Sequence, residues 1–250
     1  MSSPKFSDSQ ITSLLLDEAF EAFKKHLHND VVVVGAGPAG LAISYLLAKE
    51  GLKVLVLDRK LSVGGGMNGG GMLLPGAVIQ KDRASLLLEV GVNLRDRGDF
   101  YTFNPVEAGI KLASAGVDAG VKIVPGIEVE DVIERDGVIS GVVVNWVAVK
   151  MAGLHVDPLM IESKVVVDAT GHDAAVASLA GVEVPGNGPM NAPNGEEEVV
   201  EKTDFVKPGL LAVGMAVCAV KGAYRMGPVF GGMFESAKKG AHLILRELRS

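Results

Sequence analysis

The sequence predicts an α/β fold in which helices cover a parallel sheet and an antiparallel β section is inserted. Three observations predict this fold class. Residues 31–34 are consecutive valines, typical of a fully buried parallel strand, and the turn after them leads into an apolar helical segment. A second strand is predicted at 53–57, so the chain begins as a β-α-β unit. Later, Asp136-Gly137 separates two runs rich in β-branched residues, which is typical of a hairpin.

The turn after the first strand carries the pattern G-x-G-x-x-G. Gly35 permits the tight turn, Gly37 allows the backbone to approach a pyrophosphate, and Gly40 allows the helix to pack closely on the strand. Asp58 ends the second strand and can accept hydrogen bonds from ribose hydroxyls. A glycine-rich turn without function is the alternative, but strand, glycines, helix and acid in this order predict an adenine-dinucleotide site.

Length and composition limit the class of protein. With 250 residues and 48% hydrophobic content, the chain suits one domain spanning 1–250. The net charge of −6 and the lack of a basic stripe argue against a nucleic-acid partner, and the apolar runs are too short to span a membrane. Residues 1–8 lack a signal-peptide pattern, and the single Cys218 excludes an internal disulfide, so we expect a cytoplasmic protein.

An N-terminal helix is predicted over about residues 7–27. Ser7 and Gln10 have the spacing of a capping box at its start. An apolar face follows at helical spacing, formed by Ile11, Leu14, Leu15, Ala19, Phe20 and Phe23. We expect this face to pack beside the sheet or on a partner subunit.

Further elements follow from periodicity and turn chemistry. Helices are predicted at 80–90, 105–119 and 235–248, and strands at 122–125, 127–135, 138–148, 164–169 and 209–215. The inserted antiparallel section is placed at about 121–160. The glycine-rich stretch 59–76 suits close approach of the backbone to a ligand, with a flexible linker as the alternative. Residues 185–203 have little apolar content and predict a mobile loop or lid.

This layout matches the flavoproteins that contain two dinucleotide-binding domains. Such proteins usually carry a second signature near the C-terminus, a strand that ends in Gly-Asp and places its acid beside the flavin's ribityl and phosphate groups. Here the strand 210–214 is followed by Met215, so the acid is missing. The sequence therefore favours a dinucleotide other than FAD without excluding FAD.

Two segments carry candidate metal ligands. Asp157 lies just before Pro158 and offers a carboxylate, and His172 follows a predicted parallel strand and offers an imidazole. This donor pair suits Fe(II), Mn(II) or Zn(II) and leaves positions open for a substrate. The alternative is that Asp157 caps a turn and His172 makes a local hydrogen bond.

A third segment, 222–228, places Arg225 on a glycine-flanked turn after the last predicted strand. An arginine there can bind a carboxylate through two hydrogen bonds, or it can be an ordinary surface arginine. The thiol of Cys218 is expected to be a small buried hydrophobe.

These segments together resemble the thiamine thiazole synthase family in its archaeal branch. The matching motifs are DVVVVGAGPAGL, the Asp58-Arg59 pair, GGGMNGGGMLLP, VVVNW, H-V-D-P, TGHD, and VGM followed by RMGPVFGGM. The resemblance covers nearly the whole chain.

The resemblance implies that NAD is bound and consumed as a substrate. Nicotinamide leaves, glycine condenses with the freed ribose, and sulfur is added to give an adenylated thiazole carboxylate. It also implies Fe(II) held by Asp157 and His172, a glycine carboxylate bound by Arg225, and a homo-octamer whose sites are shared between protomers. The implied NAD contacts are Ala36, Asp58, Arg59, Gly66, Val129, the segment His155–Asp157 and Met215.

His155 distinguishes two mechanisms within that family. The fungal and plant branch carries a cysteine at this place, which gives up its sulfur in a single turnover. Because an imidazole has no sulfur to give, the resemblance implies the sulfide-dependent, multiple-turnover enzyme. His155 itself could move protons or be structural. An FAD-dependent oxidoreductase is the main alternative function, and a non-enzymatic dinucleotide sensor or a module that handles sulfur or iron is a further one.

Overall fold

The computed structural model describes residues 6–70 and 72–249. The strands in this part of the chain are β1 (His28–Val34), β2 (Val54–Asp58), β3 (Ala77–Gln80), β4 (Leu94–Arg97), β5 (Phe100–Phe103), β6 (Lys122–Pro125), β7 (Ile127–Arg135), β8 (Val138–Trp146), β9 (Leu159–Asp168), β10 (Phe205–Lys207) and β11 (Leu210–Ala212). The helices are α1 (Asp8–Lys25), α2 (Pro38–Lys49), α3 (Ser85–Glu89), α4 (Pro105–Asp118), α5 (Val147–Met151), α6 (Ala175–Leu179), α7 (Ala192–Glu201), α8 (Met215–Lys221) and α9 (Gly231–Arg249).

The predicted α/β fold class is confirmed. Its centre is a parallel sheet in the order β11-β9-β1-β2-β6, and the short β10 is added antiparallel at one edge. Val31, Val32 and Val33 are fully buried between neighbouring strands, as expected for a run of β-branched residues in a sheet covered on both faces. Helix α2 follows β1 and packs against α4 and α9.

The predicted hairpin is confirmed as β7 and β8. Its two turn residues, Asp136 and Gly137, both have positive φ, which is why this dipeptide suits the turn. Strand β8 pairs antiparallel with the first half of β9, whereas the second half of β9 pairs parallel with β1. The antiparallel section is therefore continuous with the main sheet. It begins at β7 and not at residue 121, because β6 is a parallel member of the main sheet.

The prediction of a helix at 80–90 is wrong for the first half of that range. Residues before it form β3, which ends at Gln80, and a short 3₁₀ turn over Lys81–Arg83 precedes α3. Strand β3 pairs with β5, and β5 pairs with β4, in a separate antiparallel sheet that the sequence did not predict. Ala77 and Ile79 point into the core, so β3 has the alternation of a half-buried strand, but it is only four residues long.

The prediction of a mobile loop at 185–203 is also wrong for most of that range. Helix α7 occupies 192–201, and the Asn191 side chain caps it by accepting from the Asn194 amide. Glu196 and Val199 of this helix are buried. The run of three glutamates suggested a solvated segment, but one of the three faces the protein interior.

Helix α1 begins with the predicted capping box. The Ser7 hydroxyl accepts from the Gln10 amide, and the Gln10 side chain accepts from the Ser7 amide. None of its residues is buried, and Leu14, Leu15 and Phe20 are 62–70% exposed. Its predicted apolar face is therefore largely uncovered within one chain. No helix in the described part of the chain combines the length and apolarity needed to cross a membrane.

The remaining differences concern element ends. Strand β9 begins at Leu159, earlier than predicted, because its first residues pair with the hairpin. Strand β11 is only three residues long, and α9 begins at Gly231, four residues before the predicted start. The helix predicted at 105–119 is confirmed as α4.

Candidate active site

A cleft of about 580 Å³ opens where β1, β2 and β9 end. These are the carboxyl ends of parallel strands, the edge at which α/β sheets bind ligands. The cleft is lined by most of the site residues that were predicted from the sequence. These are Gly35, Gly37, Asp58, Arg59, Gly66, Val129, His172, Met215 and Arg225.

The glycines of the fingerprint have the geometry that the pattern predicts. Gly35 has a φ of +107°, and a Cβ there would lie 2.4 Å from the carbonyl oxygen of Ala169. A Cβ on Gly40 would lie 1.9 Å from the carbonyl oxygen of Gly35, so only glycine allows α2 to approach the turn. A Cβ on Gly37 would meet nothing within 4 Å, and this residue lines the cleft. The fingerprint thus leaves open space at the N-terminus of α2, where an anion is stabilised.

Asp58 is fixed in place by backbone amides. Its Oδ2 accepts from the Ala36 amide at 2.6 Å, and its Oδ1 accepts from the Lys60 amide at 2.7 Å. The carboxylate is therefore held beside the fingerprint turn and at the wall of the cleft.

The glycine-rich stretch is ordered around the cleft, which disfavours the linker alternative for residues 64–70. The Gly64 amide donates to the Ala36 carbonyl at 2.8 Å, and the Asn68 side chain donates to the Val63 carbonyl at 2.8 Å. A Cβ on Gly65 would lie 2.9 Å from the Cα of Gly37. The backbone of this stretch therefore packs directly on the fingerprint.

A buried carboxylate supports the turn that carries His172. Asp168, at the end of β9, is fully buried and accepts from the Thr170 amide, the Thr170 hydroxyl and the Ala177 amide at 2.9, 2.6 and 2.8 Å. Burial raises the pKa of Asp168, and these hydrogen bonds oppose that rise. Sequence reasoning missed Asp168, although an acid at the end of a buried strand was a visible signal.

An ion pair spans the cleft between two of its walls. The Arg59 guanidinium lies 3.1 Å from the Asp173 carboxylate, and both side chains are more than half exposed. Exposed pairs of this kind contribute less than about 1 kcal/mol, so a ligand can displace one of the partners at little cost.

Arg225 presents an unpaired cation at the cleft. Its backbone is fixed because its amide donates to the Pro189 carbonyl and its carbonyl accepts from the Asn191 amide, each at 3.1 Å. In the described part of the chain its guanidinium makes no ion pair or hydrogen bond. It is therefore available for a carboxylate.

The two candidate metal ligands lie in different places. His172 lines the cleft, whereas His155 and Asp157 lie on an exposed segment that is not among the described residues lining it. Across residues 6–70 and 72–249, neither Asp157 nor His172 makes the local hydrogen bond of the alternative interpretation. The same residues contain no group of three or more His, Cys, Asp or Glu side chains that could hold a metal. One chain thus carries one candidate ligand, His172, in the cleft and the other, Asp157, on its surface.

Comparison with known proteins identifies the family of this chain. The profile of the Thi4 family matches residues 12–230. The chain belongs to the Thi4 family. It is 44% identical to the thiamine thiazole synthase of Archaeoglobus fulgidus and 45% identical to that of Pyrococcus horikoshii, covering 96–97% of this chain and 96–98% of those proteins.

A solved structure shows the same fold. The crystal structure of Thermovibrio ammonificans THI4 matches with a TM-score of 0.94 and 41% identity, covering 99% of this chain and 100% of that chain. Membership of the Thi4 family confirms the resemblance inferred from the motifs.

The single thiol of this Thi4 family member is remote from solvent. Cys218 lies in α8 and is fully buried, and burial raises its pKa to about 12. It is therefore an unreactive thiol, as expected for a small buried hydrophobe.

Proposed function

We propose that this protein is a thiazole-synthesising enzyme of thiamine biosynthesis. It would convert NAD, glycine and sulfide into adenosine diphosphate thiazole carboxylate and release nicotinamide, with Fe(II) and over many turnovers. The observation that carries this proposal is the meeting of the dinucleotide fingerprint, Asp58, His172 and Arg225 in one cleft of a Thi4 family member.

The fingerprint side of the cleft would hold the adenylate end of NAD. The open space at Gly37 and the N-terminus of α2 suit the pyrophosphate, and Asp58 suits the ribose hydroxyls. Ala36 fixes Asp58 through its amide, and Arg59, Gly66, Val129 and Met215 line the remaining walls. The nicotinamide end would then point towards His172 and Arg225.

Arg225 would bind the carboxylate of glycine. The free guanidinium can form two parallel hydrogen bonds to a carboxylate and fix its orientation. Glycine held there would present its amine to the ribose carbon from which nicotinamide has left.

His172 and Asp157 would hold Fe(II). An imidazole and a carboxylate are donors that Fe(II) accepts, and neither side chain has another partner among the described residues. Because Asp157 lies outside the cleft of its own chain, we propose that it reaches the cleft of a neighbouring copy within a homo-octamer. When bound, the metal would act as a Lewis acid with positions free for substrate.

Sulfur would come from outside the protein. His155 carries no sulfur, and the only thiol, Cys218, is fully buried with its pKa raised to about 12. External sulfide leaves the polypeptide intact, which is why repeated turnover is expected. The exposed His155 imidazole is free to carry protons during the dehydrations and tautomerisations of the route.

An anaerobic assay with NAD, glycine, sulfide and Fe(II) tests the proposal. We expect an adenylated thiazole in large excess over enzyme, detected by mass spectrometry, together with stoichiometric nicotinamide. Product limited to one equivalent, or formed without sulfide, would contradict the proposal. A yellow flavin absorbance of the purified protein would instead favour the FAD-dependent oxidoreductase.

A further inference from the structure

The loop that carries Arg225 is anchored at both ends. We define this loop as residues 225–230. At its start, Arg225 exchanges backbone hydrogen bonds with the segment that leads into α7, from Arg225 to Pro189 and from Asn191 to Arg225. At its end, the Phe230 amide donates to the Val78 carbonyl of β3 at 3.0 Å. The loop is therefore hydrogen-bonded at one end to the segment that precedes α7 and at the other end to β3.

Helix α7 also touches the loop directly. A Cβ on Gly195 would lie 2.8 Å from the Tyr224 carbonyl oxygen and 3.1 Å from the carbonyl carbon of Arg225. The helix thus packs its backbone against the backbone of Arg225, and a shift of α7 moves Arg225 with it.

Glu196 joins the elements that anchor the loop. Its carboxylate Oε2 accepts from the Gln80 side chain at 2.8 Å and from the Gly232 amide at 2.6 Å, so it connects α7 to the end of β3 and to the first turn of α9. Arg83 lies 3.6 Å from the same oxygen and donates to the Glu196 carbonyl at 2.9 Å. Glu196 is only 2% exposed.

We propose that Glu196 is a positioning residue that sets the place of Arg225 and thereby the affinity of the enzyme for glycine. This inference rests on the proposed role of Arg225. Without the carboxylate, the Gly232 amide and the Arg83 guanidinium lose a buried acceptor, and α7 loses its side-chain hydrogen bonds to β3 and α9. The fingerprint and Asp58 lie on other elements, so NAD binding is unaffected.

Steady-state kinetics of the Fe(II)-loaded enzyme separate these effects. For Glu196→Ala we expect the KM for glycine to rise about tenfold or more, while the KM for NAD stays within about twofold. Glu196→Gln keeps an acceptor for the Gly232 amide and the Gln80 side chain. Its amide nitrogen replaces Oε1, which has no hydrogen-bond partner among the described residues. Its KM for glycine should therefore stay within about threefold of wild type.

Glu197→Ala is the matched control. Glu197 is the next residue of the same helix and pairs with the same Arg83, but its side chain is 72% exposed. Both KM values should stay within about twofold for this variant. If Glu196→Ala does not fold, Gly195→Ala replaces it, because the added methyl displaces the Arg225 backbone without removing the carboxylate.

Amide hydrogen exchange gives a second readout that does not depend on turnover. Exchange at Arg225, Phe230 and Gly232 should accelerate in Glu196→Ala and not in Glu197→Ala. Unchanged exchange, or equal rises in the KM for glycine and for NAD, would overturn the role of Glu196. A wild-type enzyme that needs no glycine would overturn the proposed function instead, and the exchange data would still report on the anchor.

Discussion

Two of the fingerprint glycines, Gly37 and Gly40, allow ligand binding and stability to be perturbed separately. Gly40 lies inside α2 against the turn, whereas Gly37 caps the same helix and faces the cleft. One added methyl group therefore tests packing at Gly40 and ligand approach at Gly37.

Gly40→Ala should destabilise the protein. The new Cβ would lie 1.9 Å from the Gly35 carbonyl oxygen, well below the 3.0 Å that real Cβ atoms keep. The turn cannot yield easily, because the Gly35 amide donates to the Leu57 carbonyl at 2.8 Å. Overpacking of this kind costs about 3 kcal/mol, and the better helix propensity of alanine returns about 1 kcal/mol. The net loss of about 2 kcal/mol corresponds to a fall in Tm of about 4–8 °C for a chain of this size.

Gly37→Ala should leave stability unchanged and weaken NAD binding. Its φ of −78° and ψ of −176° are open to alanine, and the Cβ would meet nothing within 4 Å. We expect a change in unfolding free energy within about 0.5 kcal/mol. The methyl would occupy the space reserved for the pyrophosphate, so NAD affinity should fall at least about tenfold, or about 1.4 kcal/mol.

Thermal unfolding and calorimetric titration with NAD in the absence of glycine measure both effects. Unchanged NAD affinity in Gly37→Ala would show that the pyrophosphate does not lie against this turn. An unchanged Tm in Gly40→Ala would show that the turn relaxes around the added methyl group and that α2 does not require glycine at this position.

Three further predictions concern the turn that bears His172, the metal and the thiol. Asp168→Asn replaces an acceptor by a donor in a buried network, so urea denaturation should show a loss of about 1–3 kcal/mol. Because burial raises the pKa of Asp168 above 3.8, its contribution to wild-type stability should fall as the pH rises from 3.8 through the folded-state pKa, and the variant should lack this dependence. Asp157→Ala and His172→Ala should each abolish Fe(II)-dependent product formation, and the calorimetric NAD affinity of His172→Ala should stay within about twofold; an active variant would exclude that residue as a ligand. Cys218 should resist iodoacetamide at about pH 8 until urea unfolds the protein, and fast labelling of the native enzyme, followed by mass spectrometry, would contradict its inertness.

Elements whose conformation is determined by residues close together in the sequence were predicted correctly. The valines of β1, the capping box of α1, the hairpin turn at Asp136 and the helix α4 all follow from periodicity or from the conformation that one residue type prefers. These elements form as predicted because their tertiary contacts favour the same conformation as their local sequence.

Very short elements and elements that depend on distant partners were missed. Strands β4 and β5 form a local hairpin around Gly98 and Asp99, but four residues each are too few for an alternation that can be recognised in isolation. Strand β3 is equally short, and it pairs with β5 far along the chain. Helix α7 was missed because its acids suggested solvent, whereas Gln80, Arg83 and Gly232 provide a buried environment for Glu196.

The sequence by itself determined the parallel sheet, the fingerprint turn with Asp58 and the family, because these depend on local residue chemistry and on long motifs. Only the tertiary structure decided which candidate residues meet. It brought His172 and Arg225 to the cleft and left Asp157 on the surface. It also made Glu196 the junction of three elements. The physical reason is that a site forms where strand ends and loops converge, and that convergence is fixed by pairing and packing between residues far apart in the chain.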